Sequence, residues 1–343
     1  TRKGIEKLFE QSPELEEAIL SVAEKWLRPP YSIDGWRLDV ADELPDSFIQ
    51  TIRSRLKAEN PDAMLIGEVW EDASNKCSYG SYRDFMLGRT HDSVMGYTFR
   101  KCVLDFLNGY ISAEVFDSRM EGYRERYPAQ AYYCIMNLIS SHDVPRAYTL
   151  FSKPTDVEGR QEQLKIKVSE EDSKHCEMLM RMAFAIQTAY VGASCIYYGD
   201  EILMDGYKDP FNRRTYPWDK LSKRQEGELE AVRKIASLRN ENPVLKTGFY
   251  ETLLAEGGSL VFRRYLDSER KDYFGNLIAD GAEEIILILN RESDSCCYRI
   301  EGDKVKELDS SDALSSDMVI SKSLNESFDI KVDADSFVFV VRK

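Results

Sequence analysis

The sequence lacks any apolar run approaching the ~20 residues that a membrane-spanning helix needs. Its start, TRKGIEKLFEQSPELEEAIL, has no apolar core of the kind that a secretory signal carries. A basic excess is missing too, since 60 acidic residues outnumber 46 basic ones and give a formal net charge of −14. Nucleic acids and anionic membranes attract basic patches, so neither is expected as the main partner.

Metal-binding cysteine patterns are also missing. The seven cysteines form no CxxC pair and no Cys/His cluster with zinc spacing, so we expect no metal site and no cofactor. An odd number of cysteines without a disulfide pattern favours reduced thiols in a cytoplasmic protein.

What the sequence does contain is an alternation of helical and strand patterns in its first two thirds. Helices are predicted over 12–28, 46–60 and 176–190, and strands over 33–40, 63–70, 131–140 and 193–199. Near-continuous apolar strands between helices indicate a parallel sheet covered by helices, which is an α/β fold. The charged segment 152–174 is interpreted as a surface connection.

The pattern changes near residue 246. Short apolar or alternating strands such as SLVFRRYL, EIILILNRE and SFVFVVRK follow one another without helices, which predicts an antiparallel β-sandwich. With 343 residues and 43% hydrophobic content, the chain is long enough for roughly two domains. We therefore predict one domain over 1–245 and a second over 246–343.

Charged residues cluster where the predicted strands end. Arg37 and Asp39 lie two residues apart on one strand and therefore share a face. Glu68, the pair His142-Asp143 and the pair Asp200-Glu201 follow other strands. A surface ion pair on an edge strand would explain Arg37 and Asp39 but not the other residues. A (β/α) barrel would explain all of them, because its catalytic residues lie at the carboxyl ends of its strands.

Four ordered motifs resemble those of the α-amylase superfamily of retaining glycoside hydrolases, and most closely its neopullulanase and cyclomaltodextrinase branch. These motifs are IDGWRLDVADE, MLIGEVWEDA, NLISSHDVPR and CIYYGDEILMDGYKDPFNRRTYPW. The resemblance implies that 1–245 is the C-terminal part of a (β/α)8 TIM barrel, from strand 4 to helix 8, followed by the β-sandwich. The first three barrel strands, the domain inserted after the third and the branch's N-terminal β-module have no counterpart in this sequence.

The resemblance also implies roles for individual residues. Asp39 matches the nucleophile, Glu68 the general acid/base, and Asp143 the carboxylate that supports the distorted sugar. Arg37 matches the guanidinium that keeps the nucleophile ionised. His142 matches a histidine that binds a sugar hydroxyl, and a hydrogen-bonded core histidine is the alternative.

Further substrate-binding residues are implied with alternatives left open. Asp42 and Glu43 resemble an Asn-Glu pair beside the aglycone subsites, with Asp in place of Asn, and a solvated turn would also explain them. Trp70 is either a sugar-stacking platform or a packing residue. Asp209 and Arg213 resemble a loop that reaches hydroxyls at the non-reducing end, or else they form a structural ion pair.

The predicted activity is the retaining hydrolysis of α-1,4 glucosidic bonds, with α-1,6 bonds as a further target, in an α-glucan oligosaccharide or a cyclodextrin. Such a mechanism uses two carboxyl groups about 5–5.5 Å apart, one ionised and one protonated. An oligo-1,6-glucosidase, a glucan transferase of the same superfamily and a non-catalytic carbohydrate- or partner-binding module remain alternatives. Because barrel strands are missing, we expect an incomplete, inactive fragment. It should form homo-oligomers through its exposed sheet edges or pair with the missing portion.

Overall fold

The computed structural model describes residues 2–78, 80–301, 304–308, 318–321 and 328–342. The helices are α1 (Arg2–Gln11), α2 (Pro13–Leu27), α3 (Asp46–Glu59), α4 (Tyr97–Leu107), α5 (Ala113–Arg126), α6 (Ala129–Tyr133), α7 (Ala147–Phe151), α8 (Arg160–Lys165), α9 (Glu170–Ala189), α10 (Lys223–Glu241) and α11 (Val244–Thr247). Short 3-10 turns lie at Ala41–Glu43 and Asp200–Ile202.

The strands fall into two sets along the chain, one mainly parallel and one mainly antiparallel. The strands up to residue 195 are β1 (Gly35–Leu38), β2 (Met64–Gly67), β3 (Cys77–Ser78), β4 (Ser81–Tyr82), β5 (Ser93–Gly96), β6 (Met136–Leu138) and β7 (Ala193–Cys195). Those after it are β8 (Phe249–Glu256), β9 (Ser259–Tyr265), β10 (Glu284–Asn290), β11 (Cys296–Glu301), β12 (Lys304–Leu308), β13 (Met318–Ser321), β14 (Phe328–Val332) and β15 (Ser336–Arg342).

The chain forms two compact units, Thr1–Thr98 with Glu121–Asn137, and Phe99–Met120 with Leu138–Lys343. In the first unit β1 pairs in parallel with β2, β2 with β5, and β5 with β6. The predicted domain boundary near residue 245 stays a prediction.

Helices α2 and α3 cover one face of this sheet in the first unit. Helix α2 begins with a proline at its first position, which the missing N–H and fixed φ of proline favour, and it confirms the helix predicted over 12–28. Leu20, Ile49 and Leu65 meet in one buried cluster, against which Trp36 and Leu38 of β1 also pack. These contacts fix β1 with its two apolar side chains directed toward the helices.

In the second unit, helix α9 is largely buried and packs against α10. Two sheets follow, with strand orders β13-β15-β10-β9-β8 and β12-β11-β14. All their neighbouring strands pair antiparallel except β13 and β15, which pair in parallel. Ile286 and Val340 of the first sheet share a buried apolar cluster with Tyr298 and Ile330 of the second. Beyond α11, the residues that the structure describes confirm the predicted succession of strands without intervening helices.

Several predicted elements differ from the structure. The strands predicted over 33–40, 63–70 and 193–199 are shorter, because β1, β2 and β7 end at Leu38, Gly67 and Cys195. The strand predicted over 131–140 is wrong in its first part, because α6 occupies Ala129–Tyr133 and β6 covers only Met136–Leu138. Helix α9 begins at Glu170, six residues before the predicted start at 176, because the Ser169 hydroxyl accepts a hydrogen bond from the Asp172 N–H at 3.0 Å and caps the helix.

None of the helices in the described part of the chain combines the length and apolar character that crossing a bilayer requires.

Candidate active site

In the first unit, two acidic side chains follow directly on two neighbouring parallel strands. Strand β1 ends at Leu38 and is followed by Asp39, while β2 ends at Gly67 and is followed by Glu68. Leu38 and Gly67 are register partners, and the Glu68 N–H donates to the Leu38 carbonyl at 3.0 Å. Parallel pairing therefore brings both carboxylates to the same edge of the sheet.

Arg37 contacts both of these carboxylates. Its Nη1 donates to Asp39 Oδ1, and its Nη2 lies 3.0 Å from Glu68 Oε1 in an ion pair whose geometry is not that of an aligned hydrogen bond. The Asp39 side chain is 71% exposed, whereas that of Glu68 is only 5% exposed. One guanidinium thus links an open carboxylate and a buried one, and its third nitrogen, Nε, lies 3.4 Å from Met95 Sδ.

Glu68 is held by two further donors. The Val40 N–H donates to Oε2 at 2.7 Å, and the Trp70 indole N–H donates to Oε1 at 3.1 Å. The Trp70 ring stacks on Tyr97, with centroids 4.9 Å apart and planes 19° from parallel, and it remains half exposed. These contacts fix the orientation of the Glu68 carboxylate and place Trp70 beside it.

Asp42 and Glu43 lie in the 3-10 turn that follows β1, where other partners hold them. Asp42 Oδ2 lies 3.2 Å from Lys76 Nζ, and Glu43 Oε2 accepts a hydrogen bond from the Arg2 N–H at 3.1 Å. The Arg83 guanidinium donates to the Asp42 carbonyl at 2.6 Å. The turn is therefore ordered by ion pairs and backbone bonds within the first unit.

A second cluster lies in the second unit. His142 Nε2 is 3.2 Å from Asp143 Oδ2, and Arg213 Nη2 is 3.7 Å from Asp143 Oδ1. The Arg213 Nε also lies 2.8 Å from Asp209 Oδ1 and donates to the His142 carbonyl at 2.9 Å. Arg213 thus contacts the other three residues that were predicted from the third and fourth motifs.

A buried asparagine supports this second cluster. Asn212 is fully buried, and its Nδ2 lies within hydrogen-bond distance of the carbonyls of Ser141, His142 and Val144, at 3.1, 2.8 and 2.8 Å. An amide has two N–H groups, so the three carbonyls share them. Asn212 therefore holds the segment that carries His142 and Asp143.

Beneath this loop lies a buried ion pair. Arg146 donates from Nη1 to Asp200 Oδ1 at 2.9 Å and from Nε to the Asn212 carbonyl at 3.0 Å. Burial raises the pKa of Asp200 to about 6, while the neighbouring Arg146 charge opposes that rise. Asp200 therefore ties the loop after β7 to Arg146.

Sequence reasoning missed three buried polar residues: Asn212, Arg146 and His91. Asn212 and Arg146 lie inside the quoted motifs KDPFNRR and SHDVPR, but an internal polar residue of a loop motif does not by itself indicate burial. His91 lies under β2, where burial lowers its pKa to about 4 and neither ring nitrogen has a hydrogen-bond partner among the described residues. Its sequence context gives no signal for that position.

The structure thus brings the predicted residues together in two groups. Arg37, Asp39, Glu68 and Trp70 form one group in the first unit, with Asp42 and Glu43 in the adjoining turn. The second unit holds the other group, which consists of His142, Asp143, Asp209 and Arg213. No group of three or more His, Cys, Asp or Glu side chains in the described part of the chain is arranged to hold a metal ion.

Parallel strands that alternate with helices, with acidic side chains at the strand ends, define an α/β protein whose candidate site lies at the carboxyl edge of its sheet. Residues 1–247 match the family described as Alpha amylase, catalytic domain, and the chain belongs to that family.

Several relatives are similar over most of this chain. An amylopullulanase of Thermoanaerobacter thermohydrosulfuricus is 34% identical over 283 residues, which cover 78% of this chain and 18% of the relative. A cyclomaltodextrinase of Thermoanaerobacter pseudethanolicus is 34% identical over 288 residues, which cover 84% of this chain and 42% of the relative. A solved cyclomaltodextrinase structure superimposes with a TM-score of 0.65 at 30% identity and covers 84% of this chain and 42% of that one. The chain spans less than half the length of each of these proteins.

Proposed function

We propose that this chain carries the reacting carboxylates of a retaining α-glucan hydrolase, with Asp39 as the nucleophile and Glu68 as the general acid/base. The observation that carries the proposal is the contact of one guanidinium, that of Arg37, with both carboxylates at the ends of adjacent parallel strands. Asp39 is open to solvent and therefore accessible to a sugar, while Glu68 is enclosed and held by several partners.

The proposed reaction has two displacements. The Asp39 carboxylate attacks the anomeric carbon while Glu68 gives its proton to the departing glycosidic oxygen, so the C–O bond breaks and a glycosyl ester forms. Water then attacks the same carbon, Glu68 takes the water's proton, and the ester bond to Asp39 breaks. Arg37 pairs with the Asp39 carboxylate and holds it in position at the start and end of this cycle.

The second group supplies substrate contacts in this proposal. Asp143 faces the positive charge that develops on the sugar ring, and His142 binds a sugar hydroxyl. Asp209 and Arg213 bind hydroxyls toward the non-reducing end, and the mutual contacts of Arg213 with Asp209 and Asp143 support their action as one group. Asp42 and Glu43 are proposed to lie beside the leaving-group sugars.

The proposed substrates are α-glucan oligosaccharides and cyclodextrins with α-1,4 bonds, and α-1,6 bonds are a further target. The names of the relatives, amylopullulanase and cyclomaltodextrinase, support this choice. We propose that the parallel strands belong to a (β/α)8 barrel and that the strands after residue 246 form a β-sandwich. Turnover by this chain alone is expected to be negligible, because catalysis depends on closely fixed geometry and on exclusion of water.

A trapping experiment tests the proposed roles, because it needs only one glycosylation event per molecule. The chain is incubated for days with a fluorinated maltosyl fluoride that forms a slowly hydrolysed glycosyl ester, and the peptides are analysed by mass spectrometry. We expect label on Asp39 alone. Asp39→Asn is expected to remain unlabelled. Asp62→Asn, the same change at an exposed turn residue outside the proposed site, is expected to label normally.

Two outcomes would contradict the proposal. Label on another carboxylate would remove Asp39 from its role as nucleophile. Saturable binding of maltose without any label would favour the alternative of a non-catalytic carbohydrate-binding module. Rapid release of reducing sugar from pullulan or a cyclodextrin, abolished by Asp39→Asn, would leave the roles intact and disprove only the low turnover.

A further inference from the structure

A pocket of about 580 Å³ lies in the second unit, and none of the candidate-site residues lines it. It is lined by α9, by α10 from Gly227 onward and by the beginning of β15. Met178, Ile235 and Phe337 are among the lining residues. Its volume falls within the range of about 300–1,000 Å³ that is typical of small-ligand sites.

Two phenylalanine rings form the apolar side of the pocket. Phe337 and Phe339 alternate along β15 and so lie on one face of the strand, while Val338 and Val340 face the buried cluster between the two sheets. The two rings meet edge to face, with centroids 5.6 Å apart. Phe339 is buried, whereas Phe337 remains partly exposed and offers ring surface to a ligand.

The lining charges cancel. The pocket is lined by three basic and three acidic side chains, namely Arg181, Arg233, Lys234, Glu230, Glu241 and Asp335. Arg181 is already engaged, since its Nε lies 2.7 Å from Glu228 and its Nη2 lies 2.9 Å from Glu177. A phosphate or another anion therefore meets no excess of positive charge here, whereas a neutral ligand meets both donors and acceptors.

We propose that this pocket is a second carbohydrate site that binds a neutral α-glucan oligosaccharide. A sugar ring has an apolar face that packs on an aromatic ring, here Phe337, and a rim of hydroxyls that pair with charged groups of either sign, here Arg233 and Glu230. An apolar surface with a charge-balanced polar rim matches that chemistry. The choice of an α-glucan rests on the proposed function.

The site would retain a glucan chain on the enzyme independently of the proposed reacting carboxylates. Two binding sites on one chain raise the effective concentration of a polymer at the second site once the first is occupied. We therefore expect long glucans, which can occupy both sites, to bind more tightly than short ones, which cannot.

Isothermal titration calorimetry of the full chain with maltotetraose tests the inference. Ser237 is exposed on α10 and lines the pocket, so Ser237→Trp fills it without disturbing buried packing. Asn240→Trp is the matched control, because Asn240 is exposed on the same helix and does not line the pocket. We expect Ser237→Trp to weaken maltotetraose binding by about tenfold or more and Asn240→Trp to leave it unchanged. Phe337→Ala should act as Ser237→Trp does, with circular dichroism reporting that the fold is kept.

Three other outcomes would overturn the proposed second site. Binding that Ser237→Trp leaves intact and Asp143→Ala removes would confine the sugar to the candidate active site and overturn the inference. Absence of any maltotetraose binding would overturn it too, as would displacement of bound sugar by inorganic phosphate at constant ionic strength. The test does not use turnover or labelling of Asp39, so the second site and the proposed reaction can fail separately.

Discussion

At the scale of single residues, the charge state of the buried His91 is coupled to folding. Its ring lies against Gly67, where a Cβ would come within 2.8 Å of Nε2, and it contacts the Phe85 ring at a centroid distance of 5.7 Å. Burial, with a smaller contribution from the Arg83 charge, lowers its pKa to about 4. The folded chain therefore keeps this imidazole neutral at pH values where the unfolded chain protonates it.

We predict that His91 makes folding sensitive to mild acid. Its pKa is about 6.5 in the unfolded state and about 4 in the folded state, so the unfolded state binds the extra proton and stability falls as pH decreases through that window. Between about pH 7 and about pH 5 this amounts to a loss of about 2 kcal/mol in the free energy of unfolding.

His91→Leu, which has similar volume, should remove that part of the pH dependence in urea unfolding. Carboxylates titrate in both proteins, so the quantity of interest is the difference between the two curves. Parallel curves for the wild type and His91→Leu would contradict the prediction.

The sequence predicted the charged residues of the candidate site better than it predicted the buried polar residues that pack beneath them. Arg37 and Asp39 share a strand face in any extended chain, so their contact followed from spacing alone. Asn212 and His91 could not be found this way, because their importance comes from burial that depends on segments distant in sequence. A polar residue in a loop motif looks the same whether it is solvated or enclosed.

At the scale of elements, the connection after β1 is strained. Val40 adopts φ +47° and ψ +49°, a left-handed conformation that a β-branched residue rarely occupies and that costs on the order of 1–3 kcal/mol. That conformation directs the Val40 N–H to Glu68 Oε2, at 2.7 Å. The strain therefore accompanies the placement of a donor on the proposed acid/base.

Val40→Gly is predicted to stabilise the chain by about 1 kcal/mol, because relief of strain exceeds the entropy that a glycine adds to the unfolded state. The Val40 side chain is about half exposed, so little burial is lost, and the backbone bond to Glu68 is kept. Val22→Gly in α2 is the matched control, since Val22 is equally exposed but helical, and it should destabilise. Thermal denaturation of the wild type, Val40→Gly and Val22→Gly tests this prediction. A lower melting temperature for Val40→Gly than for the wild type would refute the strain argument.

The side-chain amide of Asn212, in the loop after β7, holds the loop after β6 in place. We predict that Asn212→Leu, a change of similar volume, costs about 1–3 kcal/mol, because buried carbonyls lose their donor. Amide hydrogen exchange of the segment 141–144 should accelerate. Asn240→Leu on the exposed surface of α10 is the control and should change neither quantity. Unchanged amide exchange in Asn212→Leu would mean that the segment 141–144 is ordered without the Asn212 side chain.

Element type was predictable where the apolar pattern was long, and boundaries were not. The pattern before Cys176 is polar, so it gave no reason to extend α9, yet the cap at Ser169 and acidic residues in the first turn add stability there. Conversely, the apolar run from Ala131 indicated a strand, but the structure forms α6 in its first three residues. Short apolar runs suit either conformation, and tertiary packing decides between them.

At the scale of the whole molecule, family membership and strand alternation were predictable because ordered motifs and periodicity extend along most of the chain. The match over residues 1–247 ends close to the change of pattern near 246. The pairing order β13-β15-β10-β9-β8 could not be predicted, because the partners of a strand depend on contacts far apart in sequence.

Copies of the chain are expected to associate through an exposed strand edge. Within the described residues, β1 pairs only with β2 and so lies at an edge of its sheet, with one side of its backbone available to another strand. We expect sedimentation velocity to show mass above the monomer's 39.5 kDa that rises with concentration. A lysine beside an edge strand opposes pairing, so Val40→Lys, two residues past the end of β1, should reduce association. Val22→Lys adds the same charge at an equally exposed position on α2 and should not. A monomer at every concentration would exclude edge pairing, and an equal effect of both lysines would show that net charge, rather than the edge, controls association.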